Sequence, residues 1–408
     1  MRRGLILLKL FTRNDWQTMT GSISVRCDIF CNVIDNYGDI GVCWRLARQL
    51  ANEHGLGVRL WVDDLGALAK LCPETQAMQE RQYRRCVEVC LWSKEFPHVQ
   101  PADLVIEAFA CALPESYMEA MAAQEKKPVW VNLEYLSAED WIQGCHKLPS
   151  PHPRLPLVKY FFFPGFTRQT GGLLLEHDLL ARRDAFQNAP DRQTFWESIG
   201  MRMPTSETLK ISLFGYENAA LRGLFDAWGG SVRPVLCLVP EGRILPQVGQ
   251  YFGDVAPCAG KAYSFGSLTV RVLPFVEQER YDELLWECDV NFVRGEDSWV
   301  RAQWAGRAFV WQIYPQHDAV HLKKLEAFLM LYRSQLGPSA SQAVGDLWRA
   351  WNSGGEAGRA WPAFAAELGE LNRHARHWSR QLAENNLALN LLDFFREIGR
   401  MRAFKIEG

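Results

Sequence analysis

The sequence predicts an α/β fold of two halves facing a cleft, each a parallel sheet with crossover helices. Three observations carry this. Short β-rich runs alternate with helical patterns from residue 23 onward, the pattern of strands joined by crossovers. A charged, helical stretch at about 178–206 separates two such series, and after residue 318 the pattern is wholly helical. A chain of 408 residues is long enough for two or three domains of about 100–200 residues each.

In the first series, 23–30 reads as a strand and 40–54 as an amphipathic helix stopped by Gly55. Runs at 58–62, 87–92, 103–109 and 128–133 continue the strands. The stretch 147–153 reads as a proline-rich loop, and Tyr160-Phe161-Phe162-Phe163-Pro164-Gly165-Phe166 as an aromatic strand end. The second series runs through 209–214, 235–239, 268–275, 290–293 and 308–313. A long amphipathic segment at 385–396 is placed to pack back on the first half. Ligands bind at the carboxyl ends of parallel strands, so a cleft between the halves is the expected site.

Composition excludes several classes. Lys and Arg total 45 against 47 Asp and Glu, a formal charge of −2. A nucleic-acid binder shows a basic excess or stripe, whereas Lys126-Lys127 and Lys323-Lys324 read as isolated, solvated pairs. Eleven cysteines include no C-x2-C pair, which supports neither a zinc ribbon nor a thioredoxin-type motif. Several lie in apolar runs, as Cys90 and Cys237 do, where a thiol acts as a small hydrophobe. A reducing cytosol follows. The start, Met1-Arg2-Arg3-Gly4-Leu5-Ile6-Leu7-Leu8, imitates a signal peptide. Lys9 interrupts it, and no small-residue cleavage site follows. No run approaches the ~20 apolar residues of a membrane helix. A soluble cytoplasmic protein is expected, with residues 1–22 as an extension outside the fold.

The sequence lacks the phosphate-loop, dinucleotide and nucleophile-elbow motifs. No D-x-D pair is available to hold a diphosphate through a metal. His317-Asp318-Ala319-Val320-His321 has H-x3-H spacing but no third ligand; helix-surface or capping histidines are the plainer reading. Two other stretches stand out. Cys31 to Gly41 lies between the first strand and first helix and carries Asp35, Asn36, Tyr37, Gly38 and Asp39. General bases sit at such strand ends, though a turn at Asn36–Gly38 with Asp39 capping the helix would also explain it. Arg294-Gly295-Glu296-Asp297-Ser298 follows the strand at 290–293. Capping would account for Asp297 and Ser298; a helix start that binds a diphosphate beside Arg294 would too. Glu296 is the oddity, because phosphate repels it unless it faces another substrate, such as arginine. Phe214, Tyr216, Phe275, Gln278 and Tyr281 follow strand ends, either as core aromatics with a helix cap or as a nucleobase slot.

Asp35-Asn36-Tyr37-Gly38-Asp39-Ile40-Gly41-Val42, Leu213-Phe214-Gly215-Tyr216-Glu217-Asn218, Arg294-Gly295-Glu296-Asp297-Ser298 and Phe309-Val310-Trp311-Gln312-Ile313-Tyr314-Pro315-Gln316 resemble the bacterial protein-arginine rhamnosyltransferases that modify translation elongation factor P. The resemblance runs from about residue 24 to the C-terminal helix. Gly215 departs from it, standing where a small residue such as cysteine is expected. The family implies a glycosyltransferase B fold of two Rossmann-like domains. The corresponding boundaries are 23–185 for the acceptor side, 186–207 for a linker and 208–375 for the nucleotide-sugar side, with 376–408 as a C-terminal helix returning to the first domain. It also implies an inverting transfer from dTDP-β-L-rhamnose to one arginine of elongation factor P, without a metal or other cofactor and without nucleic acid or membrane as partner. Carried over, Asp35, Asp39 and Glu296 are the catalytic acids. Asn36, Tyr37, Gly38, Phe214, Tyr216, Phe275, Gln278, Tyr281, Arg294, Gly295, Asp297, Ser298 and Tyr314 match or neighbour the substrate sites. A glycosyltransferase B enzyme with another acceptor, or a non-catalytic sugar-nucleotide binder, is the alternative.

Overall fold

The computed structural model describes residues 25–34, 37–189, 192–315 and 320–404, with side chains to 401. Asp35, Asn36, His317 and the expected extension at 1–22 lie outside the described residues. The first sheet contains β1 (Arg26–Cys31), β2 (Gly57–Val62), β3 (Arg81–Arg84), β4 (Val87–Leu91), β5 (Leu104–Ala108), β6 (Val129–Leu133), β7 (Pro149–Pro151) and β8 (Val158–Phe162). The second contains β9 (Leu209–Leu213), β10 (Val235–Pro240), β11 (Ala262–Phe265), β12 (Leu268–Leu273), β13 (Val290–Arg294) and β14 (Ala308–Gln312).

The orders are β3-β4-β2-β1-β5-β6-β8-β7 and β11-β12-β10-β9-β13-β14. Setting aside the antiparallel edge strands β3, β7 and β11, each sheet is parallel and doubly wound, starting at its middle and growing outward both ways. Its switch points are β1/β5 and β9/β13, where ligands bind in such folds. The β-rich runs read from the sequence become the parallel strands, because both faces of a parallel sheet are covered and must be apolar. The edge strands escaped that reading. β3 leaves Arg81 and Tyr83 exposed, with no apolar run to mark it. The proline-rich loop expected at 147–153 contains a strand instead: β7 pairs antiparallel with β8, Pro149 opposite Tyr160. An edge strand tolerates proline because one side of it needs no donor.

Two cores follow. Ile29, Leu60, Ile106 and Val131 pack with Trp44 and Leu46 of the helix Gly38–Asn52, and with Leu391 and Phe394 of the last helix, Leu387–Phe404. That helix therefore covers the first sheet, far from its neighbours in sequence. The second core is aromatic, with Trp228, Phe292, Trp348, Trp351 and Trp361 fully or nearly buried. The tryptophan richness thus serves the core above all. The helix Leu179–Asn188 packs on the second half's helices Gln278–Glu287 and Asp297–Ala305. All eleven cysteines are free thiols.

The chain passes between the halves at two adjacent places. Leu173 N donates to Asn385 O at 3.1 Å, and Leu387 N donates to Leu173 O at 2.9 Å. Gly172 sits at this junction with φ +79°, and a Cβ there would lie 2.2 Å from Asn385 O. No other residue fits.

Candidate active site

The carboxyl ends of both sheets face one another and bound two neighbouring cavities. The first, about 560 Å³, is lined by Tyr37 and Gly38 from the first half and by Phe214, Tyr216, Phe275, Gln278, Tyr281, Arg294, Asp297 and Ser298 from the second. The second, about 820 Å³, is lined by Gly38, Asp39, Tyr135, Glu296, Trp311, Tyr314 and Lys324 among others. Gly38 borders both. The structure therefore gathers every described residue that the resemblance carried over into one cleft; His321 of the H-x3-H stretch lines neither cavity.

In the first cavity the Arg294 guanidinium lies between two rings, its carbon 4.6 Å from the Phe214 centroid and 4.4 Å from that of Tyr216. Arg294 is 5% exposed, so this cation–π contact is largely desolvated and worth about 2 kcal/mol. Tyr281 meets Phe214 edge-on at 5.7 Å, and Tyr314 meets Tyr216 at 5.5 Å. Phe275 tilts against Tyr37 at 4.9 Å, so one aromatic contact spans the two halves.

Gly295, at φ +60°, turns β13 sharply into the helix Asp297–Ala305. Glu296 is that helix's N-cap residue and makes no side-chain cap bond. Ser298 and Asp297 do not cap it either. Ser298 Oγ donates to Arg294 O at 2.5 Å and accepts from Arg294 N at 3.0 Å. Asp297 accepts from Arg45 at 3.0 Å, Gln278 at 3.0 Å and Arg301 at 3.1 Å. Burial pushes the Asp297 carboxyl up, but Arg301 and Arg45 outweigh it and hold the group below its usual range. The Gln278 amide is also engaged, donating to Gly41 O at 3.1 Å. Asp297 and Gln278 thus form the floor of the cavity and tie the second half to the first helix. The helix start keeps its leading N–H groups clear of side-chain caps, as anion sites do.

The second cavity brings Asp39 and Glu296 to one space from opposite halves. Asp39 does not cap its helix: the N-cap residue is Tyr37, and Asp39 Oδ2 instead accepts from Ile34 N at 2.9 Å. Tyr135 lines the same cavity, its hydroxyl pushed up by burial with Asp39 and Glu296 nearby. Glu296 Oε2 accepts from Leu136 N at 3.0 Å. Burial, with Asp39 and Asp297 nearby, pushes the Glu296 carboxyl up to about 8 against the opposing pull of that N–H and Lys324. One wall is the stack of Trp299 on Trp311, centroids 3.7 Å apart, with Trp311 Nε1 donating to Gly295 O at 2.8 Å.

Several of these residues escaped sequence reasoning. Lys324 is half-buried against this cavity rather than part of a solvated pair, because its helix Val320–Arg333 turns that face toward Glu296. Tyr135 stands two residues beyond β6, where the strand-end rule would have found it. Arg45 is a charged residue on a helix's buried face, the one signal it offered. Among the described residues, no three His, Cys, Asp or Glu side chains are grouped as metal ligands.

The model of the elongation factor P (EF-P) rhamnosyltransferase EarP family matches residues 27–396. The chain belongs to that family. A protein-arginine rhamnosyltransferase of Pseudomonas putida is 52% identical over 371 residues, covering 90% of this chain and 98% of that protein. One from Neisseria meningitidis is 36% identical over 370 residues, covering 87% and 93%. A solved structure, described as the structural basis for EarP-mediated arginine glycosylation of translation elongation factor EF-P, shares 39% identity at a TM-score of 0.66, covering 91% of this chain and 99% of that one. A UDP-glucosyltransferase from Polygonum tinctorium, 9% identical with a TM-score of 0.51, covers 91% and 98% and shares the fold alone. This member of the EarP family is a glycosyltransferase of the B fold, and the cleft described above is where that fold binds its substrates.

Proposed function

We propose that the protein transfers L-rhamnose from dTDP-β-L-rhamnose to one arginine side chain of translation elongation factor P in the cytosol, with inversion at the anomeric carbon. The reading is carried by two carboxyl groups from opposite halves, Asp39 and Glu296, that share a cavity next to an aromatic pocket holding Arg294. Guanidinium is a cation with delocalised lone pairs and a poor nucleophile. Carboxylates around it hold it, polarise one nitrogen and take a proton as the C–N bond forms.

In this scheme Asp39 is the base, with Glu296 and Asp35 orienting the guanidinium. The nitrogen attacks C1, the bond from C1 to the diphosphate oxygen breaks, and dTDP leaves with the electron pair. Arg294 and the leading N–H groups of the helix Asp297–Ala305 neutralise that leaving charge without a metal. Phe214, Tyr216, Phe275 and Tyr281 supply the rings for the base, while Tyr37, Gly38, Gly295, Ser298 and Tyr314 close around the donor. Elongation factor P would approach mainly from the first half.

Intact mass of elongation factor P after incubation with this protein and dTDP-β-L-rhamnose, with EDTA present, tests the reading. A gain of one deoxyhexose on arginine is expected. An unchanged mass, with donor binding verified separately, would assign the enzyme another acceptor.

A further inference from the structure

We propose that Arg48 is a positioning residue for the donor, orienting the Gln278 amide in the wall of the first cavity with Glu279 as its counter-ion. The role rests on the reading of that cavity as the place of dTDP. It follows from the hydrogen bonds of one amide. Gln278, 4% exposed, opens the helix Gln278–Glu287 and lines the cavity. Its Nε2 donates to Gly41 O at 3.1 Å and to Asp297 Oδ2 at 3.0 Å. Both partners are acceptors, so the nitrogen and not the oxygen faces them. The oxygen is thereby committed to the other side, where it needs a donor of its own.

Arg48 supplies that donor from the first half. Its Nη2 donates to Gln278 Oε1 at 3.4 Å, while its Nη1 donates to Glu279 Oε1 at 2.5 Å. The contact to the amide is the longer one, and the short one beside it sets where the planar fork lies. Arg48 stands one turn after Trp44 on the helix Gly38–Asn52, its guanidinium carbon 5.5 Å from that ring's centroid. Residues four apart share a helix face, so the buried Trp44 steadies the arginine. The Arg48 side chain is only 12% exposed, and its Nε is buried with no hydrogen-bond partner among the described residues. Burial and the nearby Arg301 hold the guanidinium below its usual range, against the pull of Glu279 and Glu176. A cation so placed needs its carboxylate.

Glu279 also takes a second arginine. Arg85 Nη1 donates to the same Oε1 at 2.5 Å, and its Nη2 to Glu74 Oε1 at 3.1 Å. Two arginines of the first half thus share one carboxylate of the second, and only Arg48 also holds the amide. Without the Arg48 fork, Gln278 Oε1 loses its donor. The last torsion of glutamine is broad, so the amide would turn, and Asp297 and Gly41 would lose the nitrogen that now binds them. The wall of the first cavity would loosen, while Asp39 and Glu296 in the second cavity would stay in place. Donor affinity, not the chemical step, is what the contact controls.

Calorimetric titration of the full-length protein with dTDP, beside steady-state kinetics with elongation factor P and dTDP-β-L-rhamnose, tests this. Arg48→Met keeps the stem and loses the fork. Its dTDP Kd and donor KM should rise about 10-fold, the lower end for a lost hydrogen bond to a charged group, with kcat at the wild-type value. Gln278→Leu removes the other end of the contact, and adding Arg48→Met to it should cost little more. Arg85→Met, which leaves the amide held, should bind dTDP as wild type does. Wild-type affinity in Arg48→Met, multiplicative effects of the Arg48 and Gln278 changes, or an equal loss in Arg85→Met would each overturn the role. A fall in kcat with unchanged KM would overturn it as well. Should Arg48→Met not fold, Arg48→Lys is titrated instead. It keeps the charge facing Glu279 but not the two-armed fork, so the same weakening is expected, and wild-type affinity is the contrary result. If dTDP does not bind the wild-type protein, the donor reading fails and this role with it; if dTDP binds wild type and Arg48→Met alike, the role alone fails.

Discussion

Glu296, its carboxyl pushed up to about 8 by burial and by Asp39 and Asp297, holds its proton through most of the neutral range. Only the ionised form attracts a guanidinium, so acceptor capture should weaken as pH falls below about 8. We expect kcat/KM for elongation factor P to rise between pH 6 and 8 and then level, while donor affinity stays flat. The stability consequence has the opposite direction. A folded-state pKa above the ordinary 4.5 leaves stability intact below 4.5 and removes it as pH rises through about 8. Glu296→Gln should therefore abolish transfer, melt like wild type at pH 5 and melt higher than wild type at pH 9. Calorimetry at the two pH values reads this directly. Arg294→Lys keeps the charge but loses the planar group lying between Phe214 and Tyr216. Titration of dTDP should show donor affinity down by about 10-fold, equivalent to ~1.4 kcal/mol. The oddity of Glu296 was legible in the sequence, since a carboxylate beside a phosphate site needs a second reason. Its pairing with Asp39 came only through the family resemblance and from no local pattern, because Asp39 reaches the same cavity from the other half of the chain.

The elements explain how much of the site could be read in advance. Strand ends at the carboxyl side of parallel sheets carry Phe214, Arg294 and Tyr314, and the helix start that follows β1 carries Asp39; the β-rich runs before them were plain because both sheet faces are buried. Roles were harder to read than places. Asp297 and Ser298 fit the N-cap preference, yet one is spent on Arg45, Gln278 and Arg301 and the other on Arg294. Side chains buried by the second half had no signal in the local sequence. Gly295 shows what the element itself demands. Its φ of +60° aims Glu296 at one cavity while Ser298 lines the other. Gly295→Ala should destabilise the fold by about 1 kcal/mol, a drop of a few degrees, and lower kcat by more than that loss explains. A thermal melt beside an activity assay separates the two.

At the scale of the whole molecule, a buried ionic chain crosses the cleft. Glu176 grips Arg45 at 2.7 Å, Arg45 reaches Asp297 at 3.0 Å, and Arg301 joins Asp297 to Asp282 at 2.7 Å. Arg45 and Arg301 are each 1% exposed at the side chain. Removing one member leaves buried charge uncompensated, so Arg45→Ala should destabilise by about 3–5 kcal/mol as read by denaturant unfolding. Replacing the network by apolar residues of similar volume should be far milder. Under the proposed donor placement, dTDP affinity should fall in Arg45→Ala, because Asp297 also lines the first cavity. Little of this follows from local pattern: Asp297 and Arg301 are four apart on one helix, but Arg45 finds its partners 131 and 252 residues away.

The paired crossing at Leu173 and Leu387 has a consequence for how such a chain is built. Leaving and returning at hydrogen-bonded neighbours makes the second half an insertion within the first, its two ends at one spot. The first half is then a discontinuous body closed by its own C-terminal helix, while the second is a contiguous cassette. A gene could exchange that cassette without re-routing the backbone, and the first half would keep its connectivity.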